Sequence, residues 1–257
     1  MADMDVYIQQ FQHGLSNRDP KILGILVAVA VGILTLLLII VKSRGKNKRQ
    51  GVLLLGVCDA GKTLIYSQLV NNNFKQTYTS VASNSGEYVI SQKNKKIRVI
   101  DLPGHERLRQ QMLDEHKGQA RAVVFVVDSG TLQKDIKEVA EYLYTLLSDK
   151  TVSGNSLPVL VLCNKQDLTL AKGAKVVRSQ LEKEMNTLRI TRAASLQSVG
   201  DSGSNNNSFL GKRDKDFSFS DLKPLRVDFA ECSALGMDKT SNTPNLDELH
   251  KWLSSVA

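Results

Sequence analysis

The sequence predicts an α/β fold: a doubly wound, mostly parallel sheet with helices on both faces, preceded by one transmembrane helix. Three observations support this prediction. Short apolar runs that are typical of buried strands alternate with stretches whose apolar residues recur at helical spacing. A loop of the form G-x-x-x-x-G-K-T joins the first of these strands to the first helix. An uncharged apolar run from Ile22 to Val41 comes before them, and its length of about 20 residues suits a hydrocarbon core of roughly 30 Å.

The apolar run is better explained as a retained membrane anchor than as a cleaved signal peptide. A signal peptide has a basic start, a shorter apolar core and a small-residue cleavage site. Here the start is acidic, with Asp3 and Asp5, and the basic pair Lys42 and Arg44 follows the run almost directly. The sequence therefore predicts a single transmembrane helix at residues 22–41.

The distribution of basic residues predicts the orientation of this anchor. Five Lys and Arg residues lie just after the run, against two before it. The positive-inside rule then places residues 1–21, a short segment, on the non-cytosolic side and residues 51–257 in the cytosol. Residues 42–50 form a basic juxtamembrane linker, in which positions 42–49 are expected to contact anionic lipid head groups.

The remaining residues supply the strands and helices of the predicted α/β domain. Apolar or alternating runs predict six strands, at residues 51–55, 86–91, 96–100, 122–127, 158–163 and 225–230. Apolar residues at helical spacing predict helices near residues 64–70, 136–147, 174–188 and 246–253. Residues 74–85 are rich in Thr, Ser and Asn and are predicted to form a loop. Ser, Gly and Asn dominate from about residue 194 to residue 215, which predicts a flexible insertion.

The glycine-rich loop predicts a phosphate-binding site. Gly56 and Gly61 let the backbone curl so that successive N–H groups face an anion, and the helix that follows adds its partial positive end. Lys62 can reach the outer phosphates, and the Thr63 hydroxyl can bind Mg²⁺. The strand before the loop and the helix after it argue against a chance glycine-rich turn.

Three further motifs at strand ends favour a guanine nucleotide. Asp101 ends a strand and is placed to hold Mg²⁺, while the Gly104 N–H can bond a γ-phosphate oxygen. In the motif NKQD, the Asp167 carboxylate can accept two N–H bonds from the guanine edge, which adenine lacks, and the stem of Lys165 can lie over the base. The backbone N–H groups of the motif ECSA, residues 231–234, can meet the base carbonyl.

The motifs GVCDAGKT, DLPGHE, NKQD and ECSA together resemble those of the Ras-like GTPase superfamily, and NKQD is most similar to its Arf branch. With the amino-terminal span and the stretch DLPGHERLRQQ, the chain resembles the family of signal recognition particle receptor β subunits, from the anchor to Ala257. The resemblance implies a P-loop GTPase domain that binds GTP and Mg²⁺, in a single-pass protein of the endoplasmic reticulum membrane. It also implies that this domain binds the receptor α subunit and helps bring ribosome–nascent chain complexes to the translocon.

The resemblance also assigns roles to single residues. Thr63, Thr79 and Asp101 would hold Mg²⁺, and Gly104 would sense the γ-phosphate. His105 stands where Ras-like proteins usually carry the glutamine that orients the attacking water, so it could be catalytic, idle or an interface residue. Slow, partner-dependent hydrolysis is expected. The residues expected to bind the nucleotide are Gly56, Cys58, Asp59, Ala60, Gly61, Lys62, Thr63, Thr79, Gly104, Asn164, Lys165, Asp167, Ser233 and Ala234.

Composition and motifs narrow the alternatives. The formal net charge is +8, and outside the basic linker the basic residues are interspersed with acidic ones. Aromatic residues make up only 5% of the chain and form no basic–aromatic motif. No sequence-specific binding of nucleic acid is therefore expected. NKQD and ECSA argue against an anchored ATPase. Three functions stay open: a GTP-dependent switch that holds the α subunit, a static tether with GTP as a structural ligand, and an Arf-like regulatory GTPase of another membrane pathway.

Overall fold

The chain divides into two compact units, residues Met1–Arg49 and Gln50–Ala257. In the first unit, residues 27–39 form helix α1, and their side chains are exposed. No helix within the described ranges is both long enough and apolar enough to cross a bilayer. The remainder of the predicted span, at residues 22–26 and 40–41, lies outside the described residues, as do residues 1–21 and most of the basic linker. This computed structural model describes residues 27–39, 49–90, 95–199, 209–236 and 243–257.

The second unit contains a six-stranded sheet in the order β2-β3-β1-β4-β5-β6. All neighbouring strands are parallel except β2 and β3, which are antiparallel, so the predicted mostly parallel sheet is confirmed. Every residue of β1 and β5 is buried, because the sheet centre is covered on both faces. The strands are β1 (Gly51–Leu55), β2 (Asn84–Ile90), β3 (Lys95–Asp101), β4 (Ala120–Asp128), β5 (Val159–Asn164) and β6 (Val227–Glu231).

In the described part of the second unit, six α-helices accompany the sheet, and the four predicted ones are among them. Two helices were not predicted, α3 and α5. In α3 only Leu113 is buried, so its sequence lacks the apolar stripe by which a helix is recognised. The five-residue α5 depends on the Asp149 carboxylate, which accepts hydrogen bonds from two backbone N–H groups of its first turn. The helices are α2 (Lys62–Asn71), α3 (Glu106–His116), α4 (Leu132–Ser148), α5 (Lys150–Gly154), α6 (Ala174–Val199) and α7 (Asp247–Val256).

The flexible insertion predicted at about residues 194–215 is ordered at both of its ends in the structure. At the start, α6 continues to Val199, since Ala194, Leu196 and Gln197 are good helix formers despite the serines around them. At the other end, Leu210 is buried and belongs to the hydrophobic core. Residues 200–208 lie outside the described residues.

Polar side chains of α6 bind the segment from Lys212 to Phe219. We call these side chains, Glu182, Asn186 and Arg189, the α6 clamp. Arg189 is only 4% exposed. Its guanidinium donates to the backbone oxygen of Lys212 at 2.8 Å and to that of Lys215. Asn186 accepts from the Arg189 Nε at 2.8 Å, and Glu182 accepts from a backbone N–H further along the segment. The clamp therefore fixes residues that carry no periodic sequence pattern.

We expect the variant Arg189→Ala to release this segment. Two backbone carbonyls would lose their charged donor, which should lower the free energy of unfolding by about 2–3 kcal/mol. Lys212, Arg213 and Lys215 are exposed, so local opening should also speed tryptic cleavage there. The measurement is limited trypsin digestion followed by mass spectrometry, together with urea unfolding.

The control for this experiment is Lys183→Ala, an exposed position on the same helix. It should leave cleavage after residues 212–215 and the unfolding midpoint unchanged. Equal cleavage rates in the Arg189 variant and in the unaltered chain would show that the segment is held by its buried apolar residues alone.

Candidate nucleotide-binding site

The loop between β1 and α2 needs glycine at two positions. The φ angle is 139° at Gly56 and 91° at Gly61, in a region that other residues rarely adopt. A Cβ atom on Gly56 would lie 2.2 Å from the backbone oxygen of Val126, and one on Gly61 would lie 2.3 Å from Nδ2 of Asn164. Both the conformation and the space therefore exclude larger residues. Gly61 also forms the amino-terminal cap of α2, so the helix begins directly at the loop.

Lys62 lies inside this loop. Its side chain is buried, and Nζ donates to the backbone oxygen of Val57 at 2.7 Å. Burial lowers the pKa of Lys62, and the nearby acidic groups of Asp101, Cys58 and Asp59 oppose that change. An ammonium group removed from water is stabilised by an anion beside it, so the position suits a phosphate oxygen.

Thr63 and Asp101 meet at the carboxyl end of β3. The Thr63 hydroxyl donates to Oδ2 of Asp101 at 2.8 Å, and its oxygen lies 3.0 Å from the Ser80 hydroxyl. The Asn84 amide also donates to Oδ2 of Asp101, at 3.3 Å. Burial raises the pKa of Asp101, whereas the hydrogen bonds from Thr63 and Asn84 and the charge of Lys62 lower it.

This end of the site fits Mg²⁺, which prefers oxygen ligands and usually binds through one or two carboxylates together with waters and phosphates. Oδ1 of Asp101 is buried and has no hydrogen-bond partner among the described residues. A water on a cation would satisfy that oxygen, and the Thr63 hydroxyl retains lone pairs for direct binding. No group of three or more His, Cys, Asp or Glu in the described ranges could hold a metal ion.

Asn164 connects the phosphate loop to the last motif. Its Nδ2 donates to the backbone oxygen of Ala60 at 2.8 Å, and its Oδ1 accepts from the backbone N–H of Ala234 at 3.1 Å. The Cys232 thiol adds a third contact at 3.4 Å. Because Asn164 is 1% exposed and both ends of its amide are used, it acts as an internal brace between two nucleotide-binding segments.

The Lys165 and Asp167 side chains are both held by neighbouring residues. Lys165 has a φ angle of 66°, and its Nζ lies 2.7 Å from Oδ2 of Asp128 at the end of β4. Oδ1 of Asp167 accepts from the Ser233 hydroxyl at 2.6 Å, and that hydroxyl accepts from the backbone N–H of Gly236 at 3.0 Å. Each side chain thus has a fixed direction before any base is bound.

Gly104 and His105 lie between β3 and α3. A Cβ atom on Gly104 would lie 2.6 Å from Nζ of Lys62 and 2.8 Å from the backbone nitrogen of Cys58, so the backbone there must stay bare to lie against the phosphate loop. His105 is exposed and caps α3: its Nδ1 accepts from the backbone N–H of Arg107 at 3.4 Å. Among the described contacts, the ring is therefore held by its own helix.

Most of the predicted phosphate-binding residues line one cavity of about 280 Å³. Cys58, Asp59 and Thr79 are among them. The predicted residues that do not line it are Gly56, Ala60, Asn164, Asp167, Ser233 and Ala234. The hydroxyl that lies 3.0 Å from that of Thr63 belongs to Ser80, while Thr79, the residue expected to hold Mg²⁺, lines the same cavity. The lining residues are Cys58, Asp59, Gly61, Lys62, Thr63, Leu64, Thr77, Tyr78, Thr79, Ser80, Gly104 and Lys165.

Sequence reasoning missed the residues that support the base-reading loop from β4. Besides Asp128, the backbone N–H of Ser129 donates to the backbone oxygen of Asn164 at 3.0 Å. The Gln166 amide donates to the Ser129 hydroxyl at 3.0 Å. An acidic residue and a serine at the end of a buried strand, beside a strand that ends in NKQD, were the available signal. Because β4 and β5 are neighbours in the sheet, their carboxyl ends bring Asp128 and Ser129 beside the NKQD loop.

Fold and site together define a small P-loop GTPase domain, with phosphate, metal and base elements at the carboxyl ends of the parallel strands. The model of the family "Signal recognition particle receptor beta subunit" matches residues 47–226. The chain belongs to this family, the β subunits of the signal recognition particle receptor, and it is related to the Arf-like proteins.

Individual relatives agree with the family assignment. The receptor β subunit of Rattus norvegicus is 44% identical over 252 residues, which cover 98% of this chain and 93% of the rat protein. A solved structure of the mammalian receptor matches with a TM-score of 0.70 at 43% identity, covering 80% of this chain and all of that one. A Chaetomium thermophilum β subunit, solved as a GTP/SRX complex, shares the fold with a TM-score of 0.60 at 23% identity, covering 80% of this chain and 99% of its own.

Proposed function

We propose that this chain binds GTP with Mg²⁺ and tethers the receptor α subunit at the endoplasmic reticulum membrane, for co-translational targeting of nascent chains. One observation carries the proposal: the Ser80 hydroxyl lies 3.0 Å from the Thr63 hydroxyl. Ser80 belongs to the loop between α2 and β2, while Thr63 belongs to the metal end of the site. A ligand that binds Thr63 therefore acts directly on a loop that a partner can contact.

The side chains of the site would divide the work of holding the nucleotide. Bound Mg²⁺ would supply positive charge beside the outer phosphates. Lys62 and the backbone N–H groups of the loop from Gly56 to Thr63 would bind and orient those phosphates. Asp167 would accept N–H bonds from guanine, and the Lys165 stem would cover the base. Ser233 would keep the Asp167 carboxylate in place during this contact.

The loop between α2 and β2 has the surface expected of a partner-binding segment. Phe74, Tyr78 and Val81 are 40%, 81% and 77% exposed. Exposed apolar side chains grouped in one loop are typical of interaction sites. Ser80 lies between Tyr78 and Val81 in this loop. A nucleotide that changes the contact between Ser80 and Thr63 would therefore change how the loop exposes these two side chains. We propose that this loop contributes to the surface for the α subunit.

The membrane part of the proposal rests on residues 22–41. The described part of this run, residues 27–39, is helical, and large apolar side chains such as Leu38 and Ile39 are more than half exposed. A helix that exposes apolar side chains on all sides is stable in lipid and costly in water. We propose that the run anchors the chain as a single span, with residues 51–257 in the cytosol, near ribosome and translocon.

A static tether is the second candidate function, and the position of His105 favours it. The ring is exposed, and its Nδ1 accepts a hydrogen bond from the backbone N–H of Arg107 in its own helix. In a static tether GTP would stabilise the fold without being hydrolysed. An Arf-like role in another membrane pathway differs from both in needing no receptor α subunit.

One experiment separates these functions. The full chain is purified in detergent, its bound nucleotide is identified, and single-turnover hydrolysis of GTP is followed with and without the α subunit. We expect bound guanine nucleotide and slow hydrolysis that the α subunit accelerates. The variant His105→Ala should then slow the stimulated rate by about 10²-fold, which is the lower end of the contribution of a proton-transfer residue. Intact GTP in both conditions would establish the tether. Bound ATP, or no nucleotide, would overturn the proposal.

A further inference from the structure

Sheet register places Asn84 directly opposite Asp101. The two residues are paired in the antiparallel ladder of β2 and β3, and Asn84 is the first residue of β2. Residues that are directly opposite in such a pair have their side chains on the same face of the sheet, close enough to interact. The hydrogen bond of 3.3 Å from Nδ2 of Asn84 to Oδ2 of Asp101 therefore follows from the sheet itself. It does not depend on the conformation of the preceding loop.

The two oxygens of the Asp101 carboxylate have different surroundings. Oδ2 accepts two hydrogen bonds, from Thr63 and from Asn84, while Oδ1 is buried and accepts none from the described residues. The terminal torsion of an aspartate is broad, so the side chain needs hydrogen bonds to fix its rotation. Both donors act on Oδ2, so this oxygen is held beside the Thr63 hydroxyl at the metal end of the site.

The two donors are not equivalent once a cation binds. Thr63 would then use its hydroxyl oxygen as a metal ligand, which limits the directions in which it can donate. Asn84 has no such second task, because its amide contacts only the carboxylate in the described contacts of this site. It is thus the donor that can hold the Asp101 carboxylate independently of the metal.

We propose that Asn84 is a positioning residue for Mg²⁺: it holds Oδ2 of Asp101 beside the Thr63 hydroxyl, where the carboxylate can accept a hydrogen bond from a water of the ion. The proposal rests on the proposed function, since it takes Mg²⁺ with a guanine nucleotide as the ligand. Residues that orient a metal-binding carboxylate typically contribute 10- to 100-fold to metal affinity. Asn84 is exposed and its bond is long, so the lower value, about 10-fold, is expected.

The test compares Asn84→Ala with the unaltered chain by measuring the release of fluorescent GDP over a range of Mg²⁺ concentrations. We expect the Mg²⁺ concentration that gives half-maximal slowing of release to rise about 10-fold. The release rate in EDTA should not change, because Asn84 is not among the residues that line the cavity. This combination identifies a role in metal binding, since a general loosening of the site would also speed release in EDTA.

Ser85→Ala is the matched control. Ser85 is the next residue of β2, and its hydroxyl accepts a hydrogen bond from Arg98 at 3.0 Å instead of one at the metal end. This variant should leave the Mg²⁺ midpoint unchanged, and urea unfolding should show equal stability for both variants. An unshifted midpoint in Asn84→Ala, or equal acceleration with and without Mg²⁺, would overturn the role of Asn84 alone. Failure of the unaltered chain to bind GDP would overturn the proposed function and this inference with it.

Discussion

Replacing Asp167 with asparagine is expected to shift the base preference of the site from guanine to xanthine. The carboxylate would accept two N–H bonds from guanine, and hydrogen bonds to a charged group contribute about 1.5–3 kcal/mol each. An amide supplies one acceptor and one donor, which matches the carbonyl of xanthine in place of the amino group of guanine. The affinity for GDP should therefore fall by about 10²- to 10⁴-fold.

Competition between fluorescent GDP and unlabelled GDP or XDP measures this change. The Ser233 hydroxyl, now 2.6 Å from Oδ1 of Asp167, can donate equally well to an amide oxygen, so the side chain should keep its direction. Asp214→Asn, an exposed position, removes the same charge and should alter neither affinity. Weaker binding of both nucleotides by the same factor would mean that Asp167 supports the loop without contacting the base.

The variant Asn164→Ala is expected to damage both the fold and the site. It would leave the backbone oxygen of Ala60 and the backbone N–H of Ala234 without the amide that now bonds both of them. Each buried group left unsatisfied costs about 1–3 kcal/mol, so the free energy of unfolding should fall by about 2–4 kcal/mol. The affinity for GDP should fall by at least about 10²-fold, because the phosphate loop and the last motif would lose their connection.

Urea unfolding without nucleotide and calorimetric titration with GDP test this expectation. Asn71→Ala, at the exposed end of α2, is the control and should change the free energy of unfolding by no more than about 0.5 kcal/mol. If Asn164→Ala lowered affinity but kept full stability, Asn164 would act only through the base. If stability fell while affinity was retained, the brace would be structural and independent of the site.

The sequence was informative wherever a chemical requirement lies within a short stretch of chain. The stretch from Gly56 to Thr63 combines conformation, charge and hydroxyl in eight neighbouring residues, and five of them line one cavity. Strands β1, β4 and β5 were recognisable because buried strands are continuously apolar, and β6 because its residues alternate. The edge strand β2 was the least distinct, and it begins at Asn84, two residues before the predicted start.

Contacts between distant residues could not be predicted in this way. Asp128 meets Lys165 across 37 positions, Asn84 meets Asp101 across 17, and Arg189 meets the backbone after residue 211. None of these pairs forms a periodic pattern or a motif, because each depends on which strand ends or helix faces become neighbours. The same reason applies to Ser80, since loop conformation decides which of two adjacent hydroxyls reaches Thr63.

The α6 clamp has a consequence for protein engineering. Arg189 binds backbone oxygens of Lys212 and Lys215, so the anchorage does not depend on the identity of the side chains it holds. Positions 212–215 should accept a short epitope or a fluorophore-bearing cysteine, whereas Gly211, with a φ angle of 78°, should not. A label placed there would report from an exposed yet fixed position.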